Sequence, residues 1–283
     1  MKKSHYFTVL ISSIIFSLAL FSCATTGKLA RDKYRLEPSQ LIPENGEIVW
    51  KEVAPGIRQA SFSEPKLDAR YELVEIKLDN PSLKIVPLES RPEWMKSTSV
   101  KKFARDVNAA VAVNTTPFKL IYKKIPFSKG YPAGLLISGG EVKVEPNERY
   151  AAIAFFKDEK TVSNGYTAKI FDSQTEITTL PTLPEVACGG FWTVLDGENI
   201  RNFKPIKDIR CAAATKDGGK TLYIFTGLNF TYNETAEFFK SLGAEKAMQF
   251  DGGNSTDLVI NGKSVLNYGI KRLIVAMVGF VIE

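Results

Sequence analysis

The sequence predicts an α+β fold, with mixed, strand-rich sheets and two main helices, on three observations. From about residue 45 to the end, short apolar runs alternate with Gly, Pro, Asn and Asp turn signals. Helical periodicity is clear in only two places, 97–108 and 231–242. Two helices are too few to cover both faces of a doubly wound parallel sheet, which argues against that architecture.

Taken in chain order, the first element is an export signal. Lys2 and Lys3 precede an apolar run over 6–21 that is interrupted by Thr8, Ser12, Ser13 and Ser17, short for a membrane span, and the run ends at Ser22-Cys23. Leu20-Phe21-Ser22-Cys23 resembles a bacterial lipobox, which implies removal of residues 1–22 as a lipoprotein signal peptide and lipidation of Cys23. Phe21 departs from the small residue usual at its position, and Ala24, in place of an Asp, implies outer-membrane sorting. The expected location is therefore the bacterial cell envelope, with the chain held to the membrane through an N-terminal lipid. Residues 23–44 are polar and lack an apolar period, so they read as a tether, and 45–283 as the folded domain.

Within the domain, 48–53, 60–62, 71–78, 83–88, 134–137 and 151–156 are strand candidates. In the first helix a Ser or Thr cap precedes Val100, Phe103, Ala104 and Val107, which form one apolar stripe. In the second, Thr231 and Glu234 match a capping box, Phe238, Phe239 and Leu242 build the buried face, and Gly243 ends the helix. Each helix leads into a short apolar strand that delivers a polar side chain, Asn114 after the first and Asp251 after the second. Were those strands neighbours in one sheet, both residues would open into the same crevice, where ligands tend to bind in such sheets.

Several function classes drop out on composition. The only histidine is His5, inside the segment expected to be removed, so histidine-based catalysis and histidine-ligated zinc are excluded from the mature chain. Loss of Lys2 and Lys3 lowers the formal net charge from +6 to +4, and the basic residues are scattered, so no nucleic-acid partner is expected. Beyond Cys23, Cys188 and Cys211 remain, and the sequence leaves a disulfide and two buried thiols equally open.

The chemistry-bearing residues sit among small ones. Asp251 closes an apolar strand and is followed by Gly252-Gly253-Asn254-Ser255-Thr256, where the two glycines permit a sharp turn. Four further pieces share the pattern: Tyr131-Pro132-Ala133-Gly134, Cys188-Gly189-Gly190-Phe191-Trp192, Arg210-Cys211-Ala212-Ala213-Ala214 and Phe225-Thr226-Gly227. Arg210 opens an alanine-rich strand, where a cation needs either a structural carboxylate or an anionic ligand. Asp251, Asn254 and Asp257 offer oxygen donors, but their spacing matches no standard calcium loop, so no cofactor is expected and a divalent cation is a minor alternative. Trp192 reads as a sugar platform or as core, and Tyr122, Lys123, Lys124, Phe127 and Lys129 as a lid or a solvated loop.

In order, these segments resemble the phosphodiester glycosidase family from about residue 70 to the C-terminus. Asn114-Thr115-Thr116-Pro117-Phe118 is similar to the family's Asn-Gly-Gly-x-Phe, 132–140 to its Gly-hydrophobic-x-x-Gly strand, 210–214 to its Arg-Thr-Ala-Ile-Gly, and 250–256 to its Leu-Asp-Gly-Gly-Gly-Ser-Ser. Thr115, Thr116 and Asn254 stand where the family has glycines, and Ala276 where it has an Asn. The resemblance implies hydrolysis of a glycosyl-1-phosphodiester, with a glycan or sugar-phosphate polymer as substrate. A phosphate leaving group is weakly basic, so one visible carboxylate suffices where glycosidases otherwise need two. On this reading Asp251 is base or nucleophile, Arg210 grips phosphate, and Asn114 orients Asp251 or bonds sugar hydroxyls. Gly189, Gly190, Gly252 and Gly253 would bind substrate through their amides, and Thr226, Ser255 and Thr256 through their hydroxyls. A lipoprotein that binds glycans or phosphate without catalysis is the alternative on the same fold.

Overall fold

The structure is a computed structural model and describes residues 40, 47–88, 95–122, 129–157, 165–269 and 271–283. The signal segment, Cys23, the tether apart from Gln40, and Lys123, Lys124 and Phe127 of the expected lid lie outside the described residues.

Three sheets enclose a common core. The largest has eight strands in the order Lys51–Ala54, Ile57–Glu64, Ala69–Lys77, Thr221–Phe230, Asp208–Lys216, Lys246–Gln249, Thr193–Asp196 and Asn199–Ile200. A second has five: Glu141–Val144, Leu136–Ser138, Val186–Gly189, Ala152–Lys157 and Tyr166–Phe171. The third also has five: Lys263–Ser264, Leu258–Ile260, Val111–Asn114, Met277–Ile282 and Leu83–Pro87. In all three the described ladders are antiparallel. Side chains alternate across a strand, so Cys211, Ala213, Ile224 and Met248 face inward to meet Cys188, Phe155, Val113 and Phe280 from the other two sheets. The opposite face of the large sheet, with Ala212, Ala214 and Phe225, packs on Phe238 and Phe239 of the helix Tyr232–Ser241.

Each helix covers the outer face of one sheet. Val100–Asp106 is capped by Ser99, whose hydroxyl accepts from Lys102 N at 3.1 Å, and lies on the third sheet through Val100, Phe103 and Ala104. Tyr232–Ser241 has the expected capping box, Glu234 N to Thr231 Oγ1 at 3.0 Å and Thr231 N to Glu234 Oε2 at 2.7 Å, and is followed by Gly243 at φ +75°. A third helix, Gln174–Thr178, lies on the second sheet through Ile177. It was not anticipated, because one turn and a half is too short to show a period. Its signal was the Ser173-x-x-Glu176 cap, where Ser173 N donates to Glu176 Oε1 at 3.1 Å.

The strands bearing Asn114 and preceding Asp251 belong to different sheets, which corrects the one-sheet expectation. Their ends nevertheless converge where the large and third sheets come together, because Asp251 N donates to Thr115 O at 2.8 Å. Cys188 and Cys211 likewise lie on different sheets and are free, buried thiols, so the disulfide alternative is discarded.

Candidate active site

Asn114 builds the turn that carries Asp251. Its carboxamide Nδ2 donates to Asp251 O at 2.7 Å while its Oδ1 accepts from Asp257 N at 2.9 Å, so one buried side chain fastens both ends of the 251–257 segment. Between those ends the chain makes a short 3-10 turn, Gly253–Ser255, with Gly253 at φ +59°. That left-handed conformation favours glycine. The Tyr268 hydroxyl donates to Thr256 O with Gly253 O 3.2 Å away, and Arg272 N donates to Asn254 O at 2.8 Å, so the segment near the C-terminus braces the same turn. Asn114 is thus a positioning residue in this geometry, with both its polar atoms engaged by the protein.

The Asp251 carboxyl is half-buried, and burial pushes its pKa up to about 6. The Ser255 hydroxyl, the Arg272 charge and the Gly252 N–H act against that rise. Ser255 itself is buried, so its hydroxyl is aimed at the carboxyl rather than at solvent. Arg272 is exposed. A carboxyl that titrates near neutrality beside a solvent-facing guanidinium is suited to acid–base or nucleophilic work at physiological pH.

Arg210 approaches Asp251 along the backbone, with the Tyr232 ring against its guanidinium. Ala212 pairs with Gln249 in the antiparallel ladder, and Phe250 N donates to Cys211 O at 2.8 Å, so the same register continued brings Arg210 opposite Asp251 where the ladder ends. Its guanidinium is buried and well held. Nε donates to Phe230 O at 2.9 Å, Nη2 donates to Ile206 O, and the group stacks on the Tyr232 ring 3.9 Å from the centroid. Burial draws its pKa down, opposed by Tyr232, Asp208 and Glu234. Tyr232 hydrogen-bonds Arg210 and feels the charges of both Asp208 and Asp251.

A second carboxylate that sequence reading did not find is Asp208. It is exposed, and both its oxygens lie 4.0 Å from the position a Cβ on Gly253 would occupy. Its signal was only its place two residues before Arg210 on the same strand, which puts it on the same face. Arg272, Tyr232 and Tyr268 were missed for a similar reason, since each is brought in by a turn or a helix start rather than by a motif. Asp257 is not part of the open site: its oxygens pair with Lys271 and with Ser264 Oγ at 3.2 Å.

The other expected contacts divide. Gly252 and Gly253 are partly exposed beside Asp251. The amides of Gly189 and Gly190 are not available to an anion, because they donate to Leu135 O at 2.8 Å and Ala151 O at 2.9 Å. Gly190 is small for packing, since a Cβ there would run into Met248 and the Gln249 carbonyl. Thr226 and Thr256 are fully buried, with hydroxyls that have no partner, and so do not reach into an open site. Thr115 and Thr116 are also buried, Thr116 Oγ1 donating to Gly189 O at 3.0 Å, so their extra bulk fills the seam between sheets. Asn254 is exposed and Ala276 buried.

With this geometry in hand, comparison with known proteins is decisive at the family level: the phosphodiester glycosidase profile matches residues 107–281. The chain belongs to the phosphodiester glycosidase family. It is accordingly a hydrolase of that class, and the matched stretch holds Asn114, Arg210, Asp251 and Arg272. No curated protein sequence matches the chain significantly. Among solved structures, it is similar to the catalytic domain of zebrafish N-acetylglucosamine-1-phosphodiester alpha-N-acetylglucosaminidase, with TM-score 0.59 and 14% identity over 81% of this chain and 84% of that one. It also resembles a protein from Synechocystis (TM-score 0.56, 16% identity, 83% of this chain and 64% of that one). A Burkholderia pseudomallei protein described as exported gives TM-score 0.53 and 12% identity, over 75% and 74%. At these identities the likeness concerns the fold.

Proposed function

We propose that this phosphodiester glycosidase hydrolyses glycosyl-1-phosphodiester bonds in a glycan or sugar-phosphate polymer, using Asp251 at the anomeric carbon. The observation that carries the reading is the half-buried Asp251 on its Asn114-clamped turn, with the Ser255 hydroxyl and the Arg272 charge acting on its carboxyl. The ionised carboxylate attacks the anomeric carbon, forming a glycosyl ester that water then hydrolyses to restore the carboxylate, or it takes the proton of a water that attacks directly. The bond from that carbon to the phosphate oxygen breaks with its electron pair going to phosphate. The products are a reducing sugar and a phosphomonoester. Arg272, exposed and acting by its charge on Asp251, is the stronger candidate for holding the phosphate, because Arg210 already spends donors on two carbonyls. Arg210 then fixes Tyr232. The reaction so drawn needs no cofactor. The donor set Asp251, Asn254 and Asp257 suits a divalent ion poorly, since both Asp257 oxygens are engaged.

Asp251→Asn preserves shape and removes the charge. Turnover of a glycosyl-1-phosphodiester is expected to fall by about 10³-fold or more, with the melting curve still cooperative. Undiminished release of sugar would remove Asp251 from the mechanism, and sugar binding without release by the parent chain would favour the non-catalytic alternative.

The same proposal places the enzyme at the bacterial cell envelope, lipid-anchored at Cys23 and sorted to the outer membrane, on the strength of the lipobox-like 20–23 segment and Ala24. Full-length protein is expected in the membrane fraction, and Cys23→Ser is expected to leave it there no longer. Equal partition of the two would defeat the anchor.

A further inference from the structure

Trp192 lies against both Tyr232 and a cleft. Its ring meets that of Tyr232 edge-on, centroids 6.0 Å apart at 74°, and Tyr232 carries Arg210 and lies in the field of Asp251. Trp192 also walls a cleft of about 300 Å³ with Arg149, Asp172, Asp196, Asn199 and Arg201 around it. That volume is at the small end of ligand pockets. The strip of rings is continuous: Tyr150 lies 6.0 Å from Trp192, Phe191 stacks on it at 5.2 Å, and Phe203 bridges it to Tyr232. All five rings are half-buried, whereas Phe225, Phe230, Phe238 and Phe239 of the helix-side core are fully buried. Phe203 and Tyr232 also pack against that helix-side core, while Trp192 opens onto the cleft and its backbone O accepts from Gln249 N at 3.0 Å, two residues before Asp251.

The polar rim has a matching character. Asp172 accepts from Thr193 Oγ1 and pairs with Lys246 at 3.1 Å, and Lys246 also lies 3.6 Å from Asp196, so the carboxylates are held in place. The lining carries two cations, Arg149 and Arg201, beside these two carboxylates. Such a rim is poorly suited to a polyanion, which would meet Asp172 and Asp196, but it offers both donors and acceptors to a neutral polyol. A pyranose ring has an apolar C–H face for the indole and hydroxyls at its edge for carboxylate, carboxamide and guanidinium.

We propose that the Trp192 cleft is a subsite for a sugar unit lying beyond the bond that is cleaved, so that the preferred substrate is a phosphodiester attached to an oligosaccharide chain rather than a simple glycosyl phosphodiester. The proposal rests on the glycosidase reading, yet its binding test does not depend on turnover. Asp251→Asn protein is titrated calorimetrically with cello-, manno- and chito-oligosaccharides of one to six units. Affinity is expected to rise about tenfold or more with length in at least one series. Trp192→Ala added to that variant should abolish the gain, and Trp192→Phe should keep part of it. Should Trp192→Ala not fold, Arg149→Ala with Asn199→Ala, both exposed positions, supplies the same comparison.

In the catalytically intact chain, Trp192→Ala should raise KM about tenfold for a phosphodiester carrying an oligosaccharide, with kcat within about twofold and the constants for a methyl phosphodiester glycoside unmoved. Absent or length-independent binding across all three series overturns the subsite, as do equal KM effects on long and short substrates. Length-dependent binding by a chain that cleaves nothing would keep the subsite and discard the hydrolase reading. Cleavage without length dependence would do the reverse.

Discussion

Burial of Asp251 has two consequences that pull in opposite directions. Its pKa of about 6 in the folded chain lies above the unfolded value near 3.9, so the folded state holds the proton more tightly. The resulting stabilisation is fully present below the unfolded pKa and is lost as pH rises through about 6, on the order of 2–3 kcal/mol by neutral pH. Asp251→Asn should therefore melt higher than the parent at pH 7–8 while being inactive, a signature of a residue kept for chemistry at the expense of stability. Because the proposed mechanism uses the ionised carboxylate, kcat/KM is expected to fall on the acid side of about pH 6. Arg272 favours the charged form, so Arg272→Gln should move that limb upward and also lower kcat/KM about 10–100-fold through loss of a charge-assisted bond to phosphate. A pH–rate profile of both proteins checks this, and an unmoved limb would mean that Arg272 does not act on Asp251. Much of this residue-scale picture was legible in advance for Asp251, whose place after an apolar strand and before two glycines marks it locally. Arg272 was not, because a lone exposed arginine acquires meaning only when the chain folds it back, through Arg272 N to Asn254 O, onto a turn 18 positions earlier.

Among elements, those with capping chemistry were legible and those whose meaning depends on sheet assignment were not. Thr231 with Glu234 and Ser99 with its following stripe mark their helices by local bonds that the sequence displays. Local sequence cannot say which sheet a short apolar strand will join, which is why Val111–Asn114 and Lys246–Gln249 were expected together yet sit in different sheets. What joins them is a side chain. Asn114 satisfies one carbonyl and one N–H of the Asp251 turn inside the protein, where an orphaned polar group costs about 1–3 kcal/mol. Asn114→Ala leaves both without a partner, and a loss of about 2–4 kcal/mol is expected, or roughly 5–10 °C in Tm for a domain of this size. Asn114→Asp retains the acceptor for Asp257 N but sets an oxygen against Asp251 O, so it should destabilise as well and lower activity in the protein that remains folded. Thermal melts beside assays of the folded fraction separate the two effects. A full-strength Asn114→Ala enzyme would show that the turn holds its shape without the clamp.

At the scale of the molecule, the core shared by three sheets makes its two thiols reporters of global opening. Cys188 and Cys211 are fully buried in that core, on different sheets, and burial pushes Cys188 up to about 12 and Cys211 well above its ordinary value. A thiol reacts as the thiolate, so at neutral pH neither burial nor ionisation permits alkylation of the folded protein. Exposing either group requires the sheets to separate, since side chains from all three close over the same space. Opening of one loop or of the outer helices does not suffice. Thiol labelling of the domain lacking Cys23 is therefore expected to be negligible under native conditions, to leave hydrolase activity unchanged after prolonged exposure to the alkylating agent, and to reach both cysteines together in denaturant. The denaturant dependence of labelling in the pre-transition region should follow the slope of global unfolding, because slope scales with the surface exposed. Rapid labelling of one cysteine with a shallow slope would instead mean that one sheet parts from the others in the native ensemble, and that the seam between the sheets, where Asp251 sits, opens with it.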